Sequence, residues 1–119
     1  MDSRTIGSRG EEIAAQYLTE KGYQILSRNF RSRFGEVDII ARTKGFLVFA
    51  EVKLRKNAAY GAPSEYVTLS KQNKIKTTAA WYLTSHPDDS MIRFDVIEII
   101  APGGTDHGFT IHHLENAFQ

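Results

Sequence analysis

The chain has 119 residues, of which 41% are hydrophobic and 24% are charged, and it carries a formal net charge of +1. This composition is typical of a globular protein rather than a disordered chain, and the length fits a single domain over residues 1–119. The absence of cysteine excludes disulfides, thiol catalysis, iron–sulfur clusters and cysteine-ligated zinc. No uninterrupted apolar stretch exceeds five residues, whereas a membrane helix needs ~20, and the N-terminus shows no apolar signal core. We therefore expect a cytoplasmic protein with no membrane partner.

The small net charge hides an asymmetry along the chain. Residues 1–76 hold 14 Lys and Arg against 8 Asp and Glu, a net charge of +6, whereas residues 77–119 hold 1 against 6, a net charge of −5. A basic front indicates a polyanionic partner on one face. The alternative is that the two sets of charges mix in the folded structure.

The first predicted element is a helix over residues 5–21, where apolar residues repeat at helical spacing and Gly22 ends the pattern. Three strands are predicted to follow over residues 23–30, 36–42 and 46–55, separated by turns that each contain a glycine.

The third strand begins with an uninterrupted apolar run, residues 46–50, which is typical of a central strand covered on both faces. Residues 56–69 are predicted as a loop, and residues 70–84 as a helix with Ser70 as its N-cap. Two more strands, the last of them short, are predicted over residues 93–100 and 109–112. The order α-β-β-β-α-β-β indicates one α/β domain.

Two carboxylates are expected to face each other in the hairpin of the second and third strands. If residues 44–45 form its loop, the numbers of facing residues sum to 89. Asp38 then lies opposite Glu51, with Cβ atoms roughly 4.5–5.5 Å apart, and Glu36 lies opposite Lys53. Like charges that face each other destabilise a sheet pair, and Mg²⁺ or Mn²⁺ would remove that repulsion because these ions prefer oxygen ligands. The alternative is that Lys53 pairs with Glu36 and that Asp38 is solvated at an edge.

Asp38 followed by Glu51-Val52-Lys53 resembles the PD-(D/E)XK nuclease motif, and the helix-then-hairpin order resembles the core of that fold. The closer resemblance is to the uncharacterised bacterial YraN-like family, UPF0102, which is related in fold to archaeal Holliday-junction resolvases. The resemblance implies a restriction-endonuclease-like domain, a three-layer α/β/α structure with a mixed central sheet. The segments that carry it are Gly10-Glu11, Gly22-Tyr23, Arg28-Asn29-Phe30, Gly35-Glu36-Val37-Asp38-Ile39-Ile40, Phe49-Ala50-Glu51-Val52-Lys53, Lys71-Gln72, Arg93-Phe94-Asp95-Val96 and His113-Leu114-Glu115-Asn116-Ala117-Phe118.

The resemblance also implies a reaction, the metal-dependent hydrolysis of a phosphodiester bond with Mg²⁺ or Mn²⁺. Asp38 and Glu51 would hold the cation together with the main-chain carbonyl of Val52. Lys53 would position the attacking water or stabilise the charge that builds on phosphorus. Glu11 matches an acidic residue that related resolvases place near the metal, although a carboxylate in a first turn also stabilises the helix dipole.

Two positions depart from the family patterns. Val37 stands where the nuclease motif has proline, and Gln72 is followed four residues later by Lys76 rather than by tyrosine. Because the exonuclease-type element is incomplete, a structure-selective endonuclease or a binding protein is favoured over a RecB-like exonuclease.

Basic residues lie on both sides of the carboxylates, with aromatic residues interleaved. A groove of this kind tracks phosphates without reading sequence, and aromatic rings stack on unpaired bases. The alternative is that the cations are solvated and the aromatic residues belong to the core. The predicted nucleic-acid-binding residues are Arg28, Arg31, Arg33, Arg55, Lys56, Lys71 and Gln72, with Lys74 and Lys76 nearby and with Phe30, Phe34 and Tyr60 as the aromatic residues.

The four histidines show no metal-ligand spacing and are predicted to be surface or packing residues.

From the motif resemblance and the basic residues, we expect a nuclease that acts on structured or branched DNA, with DNA favoured over RNA. The first alternative is a catalytically silent nucleic-acid-binding accessory module of the same fold. The second is a structural domain whose carboxylate–lysine face is an ion-pair network. Because related resolvases pair two active sites in a dimer, a homodimer is a further candidate assembly.

Overall fold

The computed structural model describes the backbone of residues 3–57 and 67–119 and the side chains of residues 9–57 and 67–119. The elements follow the predicted order α-β-β-β-α-β-β. A short 3-10 helix, Thr105–His107, precedes the last strand. The helices and strands are α1 Ser3–Glu20, β1 Gln24–Ser32, β2 Gly35–Thr43, β3 Phe46–Arg55, α2 Leu69–Ser85, β4 Met91–Ile100 and β5 Thr110–Phe118.

The five strands form one mixed sheet in the order β1-β2-β3-β4-β5. Only β3 and β4 run parallel, because α2 carries the chain back between them, and the other neighbours are antiparallel. Thr43 pairs with Phe46 across the β2–β3 hairpin, and the φ of +83° at Gly45 is one that glycine adopts readily. The predicted register, in which facing numbers sum to 89, is confirmed from that pair to Ile39 and Ala50.

The two helices cover opposite faces of the sheet, so the molecule has three layers. Buried residues of α1, such as Leu18, pack with Val48 and Ala50 of β3 on one face. Buried residues of α2, such as Ile75, pack with Leu47 and Phe49 of β3 on the other. The prediction that this strand is covered on both faces is therefore confirmed.

The end of α1 follows the predicted pattern. Gly22 has a φ of +92°, its N–H donates to the carbonyl of Thr19 at 3.0 Å, and the Tyr23 N–H donates to Leu18 at 2.9 Å. These two bonds form the Schellman motif, in which a glycine in the left-handed conformation ends the helix. The motif directs the chain into β1, the first strand of the hairpin that carries the acidic residues.

The start of α2 differs from the prediction. The helix begins at Leu69, and its N-cap is Thr68 rather than Ser70, because the Thr68 Oγ1 accepts a hydrogen bond from the Lys71 N–H at 3.1 Å. Ser70 therefore lies inside the first turn. Part of the predicted loop over residues 56–69, together with Tyr60, lies outside the described residues.

The last strand is also longer than predicted. It covers Thr110–Phe118 rather than residues 109–112, because it pairs with β4 from Ile100 to Phe94. A register shift interrupts this pairing, and Asn116 has a φ of +53° beside it. Such a bulge ends a simple alternating pattern, which is why the sequence alone predicted a shorter strand. In the two described segments, no helix is long and apolar enough to cross a membrane.

Candidate metal and nucleic-acid site

The candidate site lies where β2 separates from β3. The pairing of these strands ends at Ile39 and Ala50. Beyond that point, the Asp38 carboxylate accepts the Val52 N–H at 2.8 Å. A side-chain oxygen thus takes the place of a main-chain acceptor, which satisfies an otherwise unpaired donor and fixes the Asp38 side chain beside β3.

The backbone turns at the same point. Val37 packs in the core under α2, whereas Ile39 packs in the core under α1, although side chains two residues apart in a regular strand share a face. On the neighbouring strand, Asn29 has a φ of +55° and lies between the pairs that Arg28 and Phe30 make with β2. The two strands change face together, and this local twist determines where the acidic side chains of β2 point.

Three carboxylates from two elements meet there. Single oxygens of Glu11, Glu36 and Asp38 all lie within 4.8 Å of one another, and all three residues are half-buried. Glu11 reaches the group from α1, which packs closely on β3 at Gly10, where a Cβ would lie 3.5 Å from the Cβ of Leu54. Glu11 and Asp38 were predicted for this site from the sequence, whereas Glu36 was expected opposite Lys53.

Two of these acids, Asp38 and Glu11, have a raised pKa, chiefly because they are buried. The pKa of Asp38 is raised to about 7, chiefly by burial and then by the neighbouring charge of Glu51, against the lowering effect of its bond from Val52. Burial also raises the pKa of Glu11, partly offset by a hydrogen bond from Asn29. Carboxylates held in this way are costly when ionised, and a bound cation removes that cost.

Glu51 lies beside this group and makes different contacts. The residue is 5% exposed, and its Oε1 lies 3.6 Å from the Lys53 Nζ and 3.7 Å from the Lys71 Nζ. Its Oε2 is buried and has no hydrogen-bond partner among the described residues. The predicted neighbours Asp38 and Glu51 are thus close enough to affect each other's charge, while Glu51 also holds two ammonium groups.

The residues fit a small divalent cation. Oxygens on opposite sides of one Mg²⁺ lie ~4.2 Å apart, from ligand distances of ~2.1 Å. The Glu11, Glu36 and Asp38 oxygens, within 4.8 Å of one another, can therefore reach a common ion with small side-chain movements. The three ligands are hard oxygen donors, which suit Mg²⁺ or Mn²⁺.

The alternative ion pairing considered from the sequence is wrong. Lys53 pairs with Glu51, not with Glu36. Glu36 instead pairs with its cross-strand neighbour Arg31, the Nε and Oε2 lying 3.6 Å apart. Asp38 is half-buried rather than solvated at an edge.

The predicted nucleic-acid-binding residues surround the acids in different environments. Arg28, Arg31, Arg33 and Lys56 are exposed, whereas Arg55 and Lys71 are half-buried. The Gln72 amide donates to the Val67 carbonyl at 2.9 Å and so has a structural contact at the start of α2. The exposed cations leave their charge available to a polyanion.

An open groove lies between the β1–β2 hairpin and α2. Its volume is about 550 Å³. The Phe34 ring forms part of its wall, and the centre of this ring lies 6.2 Å from the centre of the Trp81 ring. The Arg33 guanidinium lies 4.9 Å from the centre of the Phe34 ring. Of the aromatic residues singled out from the sequence, Phe30 belongs to the core, with Tyr82. Phe34 is therefore the better placed of the two to contact a base.

A buried polar network was not anticipated from the sequence. Asp95, which is 0% exposed, accepts hydrogen bonds from Arg93 at 2.9 Å and lies 2.7 Å from the His113 Nε2. The other His113 nitrogen lies 3.1 Å from the Tyr17 hydroxyl. These contacts confirm His113 as a packing residue, and they fix β4, β5 and α1 to one another. Burial raises the pKa of Asp95, but hydrogen bonds from His113, Arg93 and the Asn116 N–H outweigh this effect, so the pKa is lowered overall.

Sequence comparison finds relatives over almost the whole chain. The model of the "Uncharacterised protein family UPF0102" matches residues 10–99, which include the four acids and the two lysines of the site. A UPF0102 protein of Pelobacter propionicus is 49% identical, over 99% of this chain and 85% of the relative. A UPF0102 protein of Clostridium botulinum is 47% identical, over 98% and 96% of the two chains. One from Rhodococcus opacus is 46% identical, over 95% of each.

Proposed function

The chain belongs to the uncharacterised family UPF0102, and we propose that it is a metal-dependent nuclease that hydrolyses phosphodiester bonds in structured or branched DNA. The YraN-like membership expected from the sequence is thereby confirmed. The observation that carries the proposal is the group of three carboxylates, Glu11, Glu36 and Asp38, beside a buried Glu51 that holds two lysines. The three-layer architecture is compatible with the restriction-endonuclease-like class, which we include in the proposal.

The acids would hold the cation. Glu11, Glu36 and Asp38 offer the oxygens, and Glu51 offers a further buried oxygen without a hydrogen-bond partner among the described residues. The carbonyl of Val52, whose N–H fixes Asp38, is the remaining candidate ligand. When bound, Mg²⁺ or Mn²⁺ lowers the pKa of water and neutralises charge on a phosphoryl oxygen.

The lysines would act on the substrate. Glu51 orients both ammonium groups, with Lys53 approaching from its own strand and Lys71 from α2. A lysine held in this way can hydrogen-bond the attacking water or the phosphoryl oxygen that gains charge. Because Lys53 follows Glu51 on the same face of β3, we assign this part to Lys53 and phosphate binding to Lys71.

The surroundings support a nucleic-acid substrate. The exposed residues Arg28 and Arg31 lie on β1 beside the acids, and the exposed Arg33 follows in the turn, in positions suited to the phosphates of a strand. The groove is lined by the Phe34 ring and by Lys74, and Arg33 lies over the same ring, an arrangement that suits an unstacked base. Unstacked bases occur at junctions and other structured DNA, and the resemblance to resolvases favours the same substrate class.

Cleavage of a panel of labelled substrates tests the proposal. Duplex, nicked, branched and single-stranded DNA, together with RNA, are incubated with the protein and Mg²⁺ or Mn²⁺. We expect cleavage of branched DNA that EDTA abolishes and that Asp38→Asn reduces by at least ~100-fold, the range of a lost general-base or metal function. Glu12→Gln is the matched control, because Glu12 is exposed beside Glu11 and pairs with Arg9. Equal cleavage by Asp38→Asn and wild type would show that the site is assigned wrongly.

A catalytically silent binding module of the same fold is the second candidate. It is favoured by the ion pairs of Glu51, which already balance its charge with two lysines. In that case, DNA binds with an affinity that is independent of Mg²⁺ and equal in Asp38→Asn, and no substrate in the panel is cut.

A further inference from the structure

A second cavity lies on the molecule away from the carboxylates. It encloses about 470 Å³, within the ~300–1,000 Å³ typical of small-ligand sites. Its walls come from the start of α1, the end of β3 and the turn after β4. The side chains that would contact a ligand are those of Arg9, Leu54, Lys56, Ala101 and His107, with Asp106 nearby, and all six residues line the cavity.

The turn after β4 is built so that its backbone and His107 form one wall. The Gly104 N–H donates to the Ala101 carbonyl at 3.0 Å, and the His107 N–H donates to Gly104 at 3.0 Å. A Cβ at Gly103 would lie 3.2 Å from the His107 Cβ, so a larger residue there would displace that side chain. Glycine at 103 therefore lets the histidine ring stand at the edge of the cavity.

The charges of the walls favour an anion. Arg9, Arg55 and Lys56 contribute three positive charges, and Asp106 contributes one negative charge, a net of +2 with His107 neutral. Lys56 is exposed. The Arg9 side chain is 46% exposed, and its ion pair within the described part of the chain is with the exposed Glu12 at 3.5 Å. Both side chains can therefore turn to a ligand without breaking a buried contact.

The rest of the lining is apolar. Leu54 and Ala101 face the cavity between the cations and the glycine turn. A bare phosphate would leave this surface unused, whereas a nucleoside phosphate has a flat, weakly polar base to cover it. The His107 ring offers a further stacking surface.

We infer that this cavity binds a nucleoside phosphate, with the phosphate at Arg9 and Lys56 and the base between Leu54, Ala101 and His107. The nucleotide can be free or can be part of a nucleic-acid strand, and only the second source rests on the proposed function. Arg55 follows Glu51 by four residues, about 13 Å along β3, so a strand that crosses the carboxylates can reach the cavity.

Amide shifts in ¹⁵N-labelled protein test the inference. A nucleoside 5′-monophosphate, inorganic phosphate and a short single-stranded oligonucleotide are titrated separately, without divalent metal. We expect the monophosphate to shift the amides of Gly103, Gly104 and His107 in a saturable way and to bind at least about tenfold more tightly than phosphate. A shift of the same amides by the oligonucleotide identifies a strand as a source, and no shift by it identifies the free nucleotide as the source.

Variants separate this site from the carboxylates. The double variant Arg9→Gln with Lys56→Gln should bind the monophosphate about tenfold or more weakly than wild type, because two charge-assisted hydrogen bonds are lost. Lys44→Gln, the same change in the turn before β3, should bind like wild type. Asp38→Asn should reduce cleavage by at least ~100-fold without changing this titration. The inference is overturned if the monophosphate leaves the three amides unshifted, if phosphate binds as tightly, or if the double variant binds normally.

Discussion

Asp38 is the residue on which the candidate site depends. Its carboxylate fixes β3 through the Val52 N–H and faces the charges of Glu36 and Glu51. Burial and these neighbours raise its pKa to about 7. Without a bound cation, the folded protein is therefore less stable when Asp38 is ionised than when it is protonated. The same arrangement favours a cation, because a divalent ion replaces the proton and stabilises the ionised form.

The raised pKa predicts how the metal-free protein responds to pH. A carboxyl that binds its proton more tightly in the folded state stabilises the fold at low pH, and this contribution is lost as the pH rises from about 4 to about 7. Asp38→Asn has no such proton, so near pH 8 it should unfold with a free energy on the order of 2–4 kcal/mol higher than wild type. The two proteins should converge near pH 4.

Urea denaturation between pH 4 and pH 8, in EDTA, measures this difference. Glu12→Gln serves as the control, because that carboxylate is exposed and lies next to the cluster without joining it. Curves for Asp38→Asn and wild type that run parallel over the whole range would contradict the raised pKa.

Glu36 shows why the sequence predicted the site only in part. The register of β2 and β3 follows from the hairpin loop, and the prediction of Asp38 near Glu51 relied on it. Glu36 lies beyond the end of that pairing, and its direction depends on the twist at Asp38 and Asn29. A left-handed conformation at an asparagine in a strand has no periodic signal, so the third carboxylate could not be placed from spacing.

At the scale of elements, the first turn of α2 provides a separate test of the structure. Thr68→Ala should destabilise the protein by about 1 kcal/mol, because it removes the acceptor of the Lys71 N–H. Ser70→Ala, at the N-cap expected from the sequence, should change the free energy of unfolding by less than ~0.5 kcal/mol. Chemical denaturation at one pH compares them, and a larger loss in Ser70→Ala would place the cap at Ser70.

The elements themselves were predictable to different degrees. The helix end at Gly22 and the hairpin at Gly45 were predicted because each is a local backbone requirement that one residue type meets. The length of β5 was not, because a polar strand at the sheet edge is held by pairing with β4 and by the His113–Asp95 contact. Such contacts join residues far apart in sequence, and no local pattern reveals them.

The charge asymmetry of the chain is kept in part at the scale of the molecule. The order of strands in the sheet is their order in the sequence, so β1 to β3 lie on one side and β4 and β5 on the other. The strands of the basic part, residues 1–76, and those of the acidic part, residues 77–119, therefore lie on different sides of the sheet. The two sets of charges also mix in part, because Arg42 pairs with Asp88. The net charge of +1 is the sum of a basic first part and an acidic second part of the chain.

The exposed cations Arg28, Arg31 and Arg33 predict how DNA affinity depends on salt. Binding through phosphates releases counterions, so the logarithm of affinity should fall linearly with the logarithm of salt concentration. Arg28→Gln should reduce the steepness of that slope by about one unit, as expected for one lost phosphate contact, and Lys44→Gln should leave it unchanged. Fluorescence anisotropy in EDTA measures the slopes, and an affinity independent of salt would exclude phosphate contacts.

The proposed activity depends on a divalent cation held by the carboxylates of α1 and β2. Calorimetric titration with Mn²⁺ near pH 8 measures this directly in wild type, Asp38→Asn and Glu12→Gln. We predict one saturable site per chain in wild type and Glu12→Gln, weakened by at least tenfold in Asp38→Asn and weakening in wild type as the pH falls below about 7. No saturable binding, or equal binding in Asp38→Asn, would contradict the account.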